Sequence, residues 1–93
     1  MVKQRTSPNE AIVFNKEFNK RIGIIIKNHR HHLGLRQIDV ASKTYMARNT
    51  LANIELGRQA ASLNQAIRLS RFLHIDFGLF IETSEKMESE DLQ

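Results

Sequence analysis

The sequence predicts an all-α domain of four or five helices. Apolar residues recur every three or four positions from Ala11 through Phe14 and Phe18 to Ile22, which is the spacing of one helix face. After residue 35 the chain divides into short apolar-periodic segments separated by polar residues and glycine, as in a bundle of short helices. With 93 residues, 41% hydrophobic and 26% charged, the chain has the size and composition of one globular domain. Because it contains no cysteine, its core must be held together by packing alone.

The first helix is predicted to begin at Ser7. Ser7 caps the helix, Pro8 occupies the first helical position and Glu10 reaches back, so the three residues form a capping box. Gly34, in a left-handed conformation, would end the element. The segment between them fits one long helix or two helices in tandem, because three residues weaken the pattern: Asn15, Asn19 and Gly23.

Three shorter helices are predicted over residues 37–44, 47–56 and 63–73. Val40 and Ala41 are the inward positions of the first of these helices, and Leu51 and Ile54 are those of the second. Gly57 ends the second helix. The inward positions of the third are Ile67, Leu69, Phe72 and Leu73.

Residues 75–82 fit two different structures. The alternation typical of a half-buried strand involves Ile75, Phe77, Leu79 and Ile81. Alternatively, Asp76 caps a short helix that buries Phe77, Phe80 and Ile81. A strand would need a second protomer to pair with, since the rest of the chain is helical. In both cases we expect the segment to take part in dimerisation.

The two ends of the chain are predicted to be flexible. Residues 1–6 form a short basic arm with Lys3 and Arg5. Residues 82–93 form an acidic tail in which five acidic residues outnumber Lys86, for a net charge of −4. The whole chain carries +4, so the remainder carries +8, which favours a polyanionic partner. The folded domain, for both DNA binding and dimerisation, is expected to span residues 7–81.

The turn between residues 44 and 47 joins two helices at the spacing of a helix-turn-helix. The small Ala41 lets the two helices cross closely, while Leu51 and Ile54 anchor the second helix on the core. Its other faces carry polar residues able to hydrogen-bond base edges and phosphates: Arg48, Asn49, Thr50 and Asn53. No acidic residue precedes Glu55 on this helix, so its exposed surface suits the major groove of DNA.

An ordered set of motifs runs from Ile22 to Ile81, about 60 of the 93 residues. In chain order they are Ile22-Gly23, Arg30, Leu33-Gly34-Leu35-Arg36-Gln37, Val40-Ala41, the stretch 48–58 (RNTLANIELGR), Ser62-Leu63 and the stretch 69–73 (LSRFL). With these motifs the chain resembles the Cro/cI-type helix-turn-helix regulators, often called the XRE family, and the spacing from Gln37 to Gly57 matches without insertion. The resemblance implies a lambda-repressor-like fold.

The resemblance also implies a role for each matching residue. Arg48, Asn49 and Asn53 would face the bases, with Thr50 beside them, and Gln37 would lie near a phosphate and the recognition helix. Arg48 would be suited to hydrogen-bond a guanine, and Asn49 or Asn53 to hydrogen-bond an adenine. The residues that would bind phosphate are Arg36 and Arg58, and those of a structural, partly buried ion pair are Arg30 and Glu55.

Four positions depart from the family pattern. Tyr45 stands where the family usually has a glycine in a left-handed turn, a poor fit for a bulky residue. Leu56 replaces a usual polar residue, and Ala61 replaces a frequent proline. Ala47 cannot cap the recognition helix as serine or threonine would. We expect these changes to affect the tilt of the recognition helix rather than the fold.

The function implied is that of a sequence-specific transcriptional repressor, most simply of its own promoter. It would bind a palindromic operator as a homodimer and insert residues 47–56 into successive major grooves of double-stranded DNA. The alternative is an antitoxin of a toxin–antitoxin pair, whose protein partner would be a toxin kinase. The small size, the Ser7-Pro8 helix start and the alternation at residues 75–81 are similar to HipB-like antitoxins.

We expect no enzymatic activity, no cofactor and no metal site. Asp39 and Glu55 are the only acidic residues between positions 18 and 75, so no carboxylate pair offers acid and base catalysis. His29, His31 and His32 have no cysteine beside them, and His29 lies on the apolar side of its helix. No apolar run approaches the roughly 20 residues that span a bilayer. We therefore expect a cytoplasmic protein, associated with the nucleoid when bound to DNA.

Overall fold

A computed structural model describes residues 7–91 of the chain. Within this range the backbone forms helices and no strand, as predicted for an all-α domain. The helices are α1 (Pro8–His32), α2 (Gln37–Lys43), α3 (Arg48–Glu55), α4 (Leu63–Phe72) and α5 (Gly78–Asp91). None of them is both long and apolar enough to cross a membrane. The basic arm predicted over residues 1–6 lies outside the described range, as do residues 92 and 93.

The first helix, α1, is one continuous helix of 25 residues rather than two in tandem. Ser7 caps it, accepting a hydrogen bond from the backbone N–H of Glu10 at 3.2 Å, and Pro8 begins it. At its other end Gly34 has a φ of 69°, and the next N–H, of Leu35, donates to the carbonyl of Arg30 at 3.1 Å. The left-handed glycine therefore ends α1 as the sequence predicts.

The core lies where the first four helices meet. Six branched aliphatic side chains in it are at most 1% exposed: Ile26, Val40, Leu51, Ile54, Leu69 and Leu73. Burying such a side chain stabilises the fold by roughly 1.5 to 3 kcal/mol. Most of these residues are inward positions predicted from helical spacing. Ile67, which was also predicted to face inward, is instead 39% exposed.

Gly23 is the point at which α1 meets the C-terminal end of α3. A Cβ atom added to Gly23 would lie 2.4 Å from the carbonyl oxygen of Ile54 and 2.5 Å from that of Glu55. No side chain fits there without moving backbone. Gly23, which weakens the helix pattern and belongs to the Ile22-Gly23 motif of the family resemblance, therefore sets the distance between α1 and α3.

The fourth helix, α4, starts at a complete capping box. Ser62 Oγ accepts from the N–H of Gln65 at 3.1 Å, and Gln65 Oε1 accepts from the N–H of Ser62 at 2.9 Å. Beyond its C-cap at Leu73, His74 turns the chain with a φ of 58°, and Ile75 is buried in the core. The chain thus returns to pack α5 against α1.

The fifth helix, α5, resolves the ambiguity of residues 75–82. This segment is not a strand: Asp76 Oδ1 accepts from the N–H of Gly78 at 3.0 Å, and a helix begins at Gly78. Phe80 is buried and meets Phe77 edge-on, with ring centroids 5.6 Å apart. Ile81, expected to be buried as well, is 53% exposed. The strand-like alternation that suggested a HipB-like antitoxin therefore covers a turn and the first residues of a helix.

Residues 82–91, part of the segment predicted to be a flexible acidic tail, belong to α5 in the structure. The helix continues to Asp91, and Met87 is only 5% exposed. Arg21 of α1 binds Glu90 through two hydrogen bonds of 3.0 and 2.9 Å, and the guanidinium holds the pKa of Glu90 below its usual range. The acidic composition of the segment is that of an exposed helix face, because Glu82, Glu85 and Glu88 are exposed while Thr83 and Met87 are buried.

Candidate nucleic-acid interface

The second helix, α2, begins beside an ion pair. Asp39 accepts from the backbone N–H of Arg36 at 3.2 Å and from its guanidinium Nε and Nη2 at 2.9 and 3.0 Å. Arg36 is exposed, as a phosphate contact must be, but its guanidinium is occupied by a neighbouring carboxylate. Arg36 and Asp39 together therefore add little net charge to this surface.

The turn between α2 and α3 keeps a left-handed residue although that residue is a tyrosine. Tyr45 has a φ of 59°, and the next N–H, of Met46, donates to the carbonyl of Ala41 at 3.0 Å. The buried hydroxyl of Thr44 donates to the carbonyl of Val40 at 2.7 Å, which closes α2. The Tyr45 ring is 81% exposed and lies under the guanidinium of Arg68, 4.8 Å from its centroid. The backbone thus adopts the turn usual for glycine at a conformational cost of about 1 kcal/mol or more.

The third helix, α3, has one face in the core and one in solvent. Leu51, Ile54 and Glu55 are buried. Arg48 and Asn49 are exposed at its first turn, and Asn53, half-buried, follows Asn49 by four positions on the same side. Thr50, half-buried as well, lies on the flank. Ala47 is the N-cap without a side-chain hydrogen bond and Leu56 the C-cap, so the helix is one residue shorter at each end than predicted.

A buried ion pair lies behind this exposed face. Arg30 Nε donates to Glu55 Oε2 at 2.7 Å and Arg30 Nη2 to Glu55 Oε1 at 2.9 Å, with 9% and 2% of the two side chains exposed. Burial alone would raise the pKa of the Glu55 carboxyl, but the hydrogen bonds from Arg30 and Gln37 outweigh it, and the pKa lies below its usual value. Glu55 is therefore a neutralised anion that presents no repulsion to DNA.

Gln37, the first residue of α2, connects this ion pair to α3. Its Nε2 donates to Glu55 Oε1 at 3.0 Å, while its Oε1 accepts from Nη1 of Arg48 at 3.5 Å. Gln37 is half-buried, so it spans from the buried carboxylate to the exposed guanidinium. The contact between the first residues of α2 and α3 is therefore made by side chains that can hydrogen-bond.

Arg58 is held at the other end of α3. Gly57 has a φ of 74°, and a Cβ added there would lie 2.7 Å from the Cα of Lys20. The N–H of Arg58 donates to the carbonyl of Asn53 at 2.9 Å, which fixes the backbone that carries its exposed side chain. Gly57 is thus required both by its φ and by the close approach of α1.

The structure brings most of the nominated residues to one region. Gln37, Arg48 and the Arg30–Glu55 pair are joined by hydrogen bonds, and Asn49 and Asn53 share the exposed side of α3. Sequence reasoning missed Ala52, which lies on that same side because it follows Arg48 by four positions. It also missed Asp39 as the partner of Arg36, although a separation of three residues at a helix start is a recognisable signal.

Comparison with known families places this geometry in context. A family model described as helix-turn-helix matches residues 26–80, which is 55 of the 93 residues and includes α2, the turn, α3 and α4. No curated protein matches the chain.

Proposed function

Because the chain belongs to the Cro/cI-type (XRE) family of helix-turn-helix regulators, we propose that it is a sequence-specific transcriptional repressor. Membership of that family makes it a DNA-binding transcriptional regulator, and the proposal adds specificity and repression. The observation that carries the proposal is the exposed side of α3, which bears one cation, two amides and no acid. Such a surface offers hydrogen bonds to base edges without repelling phosphate.

The proposed roles follow from position on the two helices. Arg48, Asn49 and Asn53 contact bases, with Thr50 at the flank, and the methyl group of Ala52 is small enough to pack against a thymine methyl. Three residues around the helix ends position the protein on phosphates: Gln37, Arg36 and Arg58. Arg36 must exchange its bond with Asp39 for one with phosphate, so Arg58 is the stronger phosphate contact of the two arginines.

A homodimer is the form in which we propose that the protein binds DNA. An apolar groove of about 370 Å³ runs between α1, α5 and the segment from α3 to α4, and no charged residue lines it. Ile22, Ile54 and Phe80 contribute to it from the core, while Leu63 and Ile81 on it are 69% and 53% exposed. In a chain with 26% charged residues, an uncharged surface with exposed aliphatic side chains supports pairing with a second copy. Two copies related by a two-fold axis match a palindromic operator.

Repression of its own promoter is the simplest function for such a dimer, because a protein bound to a promoter blocks transcription by occupying it. This activity belongs to the cytoplasm, where the protein would be associated with the nucleoid when bound. Of the two local features similar to HipB-like antitoxins, the Ser7-Pro8 helix start is present and a strand at residues 75–81 is not, so the antitoxin is kept as the alternative.

Sequence specificity is tested by selecting duplexes from a random pool with the purified protein and measuring Kd for the best duplex and a shuffled one over a salt series. We expect Arg48→Ala to reduce the ratio between the two Kd values by roughly 5- to 150-fold, the equivalent of 1 to 3 kcal/mol. Arg58→Ala should weaken both duplexes alike and lower the salt slope by about one. Arg71 is an exposed arginine on α4, so Arg71→Ala is the control for the loss of one positive charge. Equal binding of all duplexes by the unaltered protein would refute sequence specificity.

The dimer is tested by light scattering over a concentration series. Ile81→Asp should shift the mass from two chains to one. Ile24→Asp is the matched control, since Ile24 is 55% exposed on α1 and does not line the groove. Loss of pairing in the Ile24 variant instead would place the interface elsewhere.

Autoregulation is tested with the duplex immediately upstream of the gene. The repressor should prefer it to a shuffled duplex and should reduce transcription from it. If the protein prefers the selected duplexes but not the upstream duplex, autoregulation is refuted and the protein is a repressor of other promoters.

A further inference from the structure

A second groove, of about 440 Å³, lies between the N-terminal part of α1 and the C-terminal part of α5. The residues that line it belong to positions 9–21 of α1 and 87–90 of α5. All of them lie outside residues 26–80, the segment that matches the family model. The groove is therefore built from parts of the chain that flank the matching helix-turn-helix segment.

The floor of this groove is apolar and partly open to solvent. Met87 is buried and Phe14 is half-buried, but the side chain of Val13 is 67% exposed. Val13 lies on the same side of α1 as Glu10 and Glu17, which are three and four positions away. An exposed aliphatic side chain beside a phenylalanine and a methionine offers apolar surface that a binding partner can cover.

The groove also has an acidic rim, which consists of Glu10, Glu17 and Glu90. Arg21 is the one cation among the residues that line the groove, so their net charge is −2, although the whole chain carries +4. The guanidinium of Arg21 already binds two of the three glutamates, through hydrogen bonds of 2.9 to 3.0 Å. The remaining charge of the rim is available to a cation from outside.

This charge determines which partner fits the groove. DNA and an anionic membrane surface would be repelled by the acidic rim. A second copy placed on the same groove by a two-fold axis would bring the two acidic rims together, which is unfavourable as well. A cationic segment of another protein, in contrast, complements the rim, and apolar side chains on that segment complement the floor.

The shape of the groove indicates the form of that segment. Along α1 the groove extends over residues 9–21, which is about 18 Å at the rise of a helix and equals the length of about twelve helical residues. A helix laid along two neighbouring helices presents apolar side chains every three or four positions to the groove between them. Its other positions remain free for the basic residues that the rim requires.

We propose that this groove is a docking site for a basic amphipathic helix of a partner protein, whose apolar side chains cover Val13 and Phe14 and whose lysines or arginines pair with the acidic rim. The site goes beyond the proposed function, because it uses neither α3 nor the turn before it. It gives the protein a second contact surface, opposite in charge to the exposed side of α3.

The test starts from a displayed library of random peptides of about 16 residues, long enough for four helical turns, from which the purified protein selects binders. Kd for the best peptide is then measured with two pairs of matched variants. Val13→Lys is paired with Ile12→Lys, because Ile12 is 53% exposed on the same helix and does not line the groove. Glu10→Gln is paired with Glu85→Gln, because Glu85 is exposed on α5 and does not line the groove either.

We expect the selected peptides to carry lysine or arginine around apolar residues at helical spacing, and to bind less tightly as salt is raised. Val13→Lys should weaken the best peptide by about tenfold or more, and Glu10→Gln by about two- to fivefold. The two control variants should keep Kd within about twofold of the unaltered protein. Equal binding by Val13→Lys, or selection of peptides without basic residues, would overturn the proposal.

Two further results would assign the groove to another occupant and would also overturn the proposal. A mass that falls from two chains to one in light scattering of Val13→Lys would assign the groove to a second copy. Tighter binding of the best peptide by a chain that carries both Lys3→Glu and Arg5→Glu would assign the groove to residues 1–6 of the same chain. Because none of these measurements involves DNA, failure of the docking site is distinguishable from failure of the proposed function.

Discussion

Replacement of Gly23 by alanine tests whether the approach of α1 to α3 is as close as the structure has it. On helix propensity alone, Gly23→Ala should stabilise the protein by about 1 kcal/mol, because glycine is a poor residue inside a helix. The new Cβ would lie 2.4 and 2.5 Å from the carbonyl oxygens of Ile54 and Glu55, whereas an ordinary contact needs about 3.4 Å. The two helices would therefore have to separate by roughly 1 Å.

The size of the effect follows from these two opposing contributions. Overpacking a core typically costs 1 to 3 kcal/mol, and the upper end of about 3 kcal/mol applies here because the obstructing atoms are backbone rather than a flexible side chain. Subtracting the gain in helix propensity leaves a net loss of about 2 kcal/mol. For a domain of this size that corresponds to a fall in melting temperature of roughly 8 to 16 °C. The displaced end of α3 should also weaken binding to a selected duplex.

The assay is urea unfolding followed by circular dichroism, with the slope of the transition checked for constancy between variants. Gly34→Ala is the control: its φ of 69° disfavours alanine, but nothing lies within 4 Å, so it should cost about 1 kcal/mol without affecting DNA binding. A Gly23→Ala protein as stable as the unaltered chain, or more stable, would refute the close approach.

Three further changes test other contacts by the same unfolding assay. Glu55→Gln should lower the free energy of unfolding by about 3 kcal/mol, because it leaves Arg30 as an unpaired buried cation, and an unchanged value would contradict the role of the pair. Because the pKa of Glu55 is lowered in the folded state, its ionised carboxylate contributes fully to the free energy of unfolding above the usual carboxyl pKa, and this contribution is lost as the pH falls through the lowered pKa. The difference in unfolding free energy between the unaltered protein and Glu55→Gln should therefore become smaller below about pH 5. Ser62→Ala removes the side-chain cap of α4 and should lower the free energy of unfolding by about 1 kcal/mol. Ser42→Ala, which changes an exposed serine of α2, is the control and should lower it by less. Glu90→Gln breaks a surface ion pair in which 34% of the Arg21 side chain and 56% of the Glu90 side chain are exposed, and it should leave the melting temperature nearly unchanged; a marked fall would mean that this pair, as well as the buried Met87, is needed to dock α5.

Those parts of the fold determined by local chemistry could be predicted from the sequence. Ser7 and Pro8 mark the start of α1 and Gly34 its end, because capping and left-handed glycine depend only on neighbouring residues. The spacing of Leu51 and Ile54 identified the buried side of α3, and hence its exposed side, since helical period fixes both at once.

Contacts between distant residues could not be predicted in this way. The fit of Gly23 against α3 depends on how two helices cross; the Ile22-Gly23 motif of the resemblance singles out the position, but neighbouring residues do not reveal the contact. The docking of α5 involves the buried Met87 and a contact between Glu90 and Arg21, which lies 69 residues earlier in the sequence. An acidic stretch suggests flexibility when it is considered alone, and only a tertiary contact orders it.

The cost of the network behind α3 indicates a role other than stability. An ion pair buried to the extent of Arg30 and Glu55 adds little stability compared with apolar residues of the same size, because both charges must be removed from water. Such a pair instead fixes the position of a carboxylate, and this carboxylate can only accept hydrogen bonds. A hydrophobic replacement would hold α1 and α3 together equally well, but it would leave the carboxamide of Gln37 free to rotate and Arg48 without a fixed partner. The polar network is therefore better explained by the orientation that it gives to Gln37 at the start of α2 than by the need to stabilise a fold whose aliphatic core is already complete.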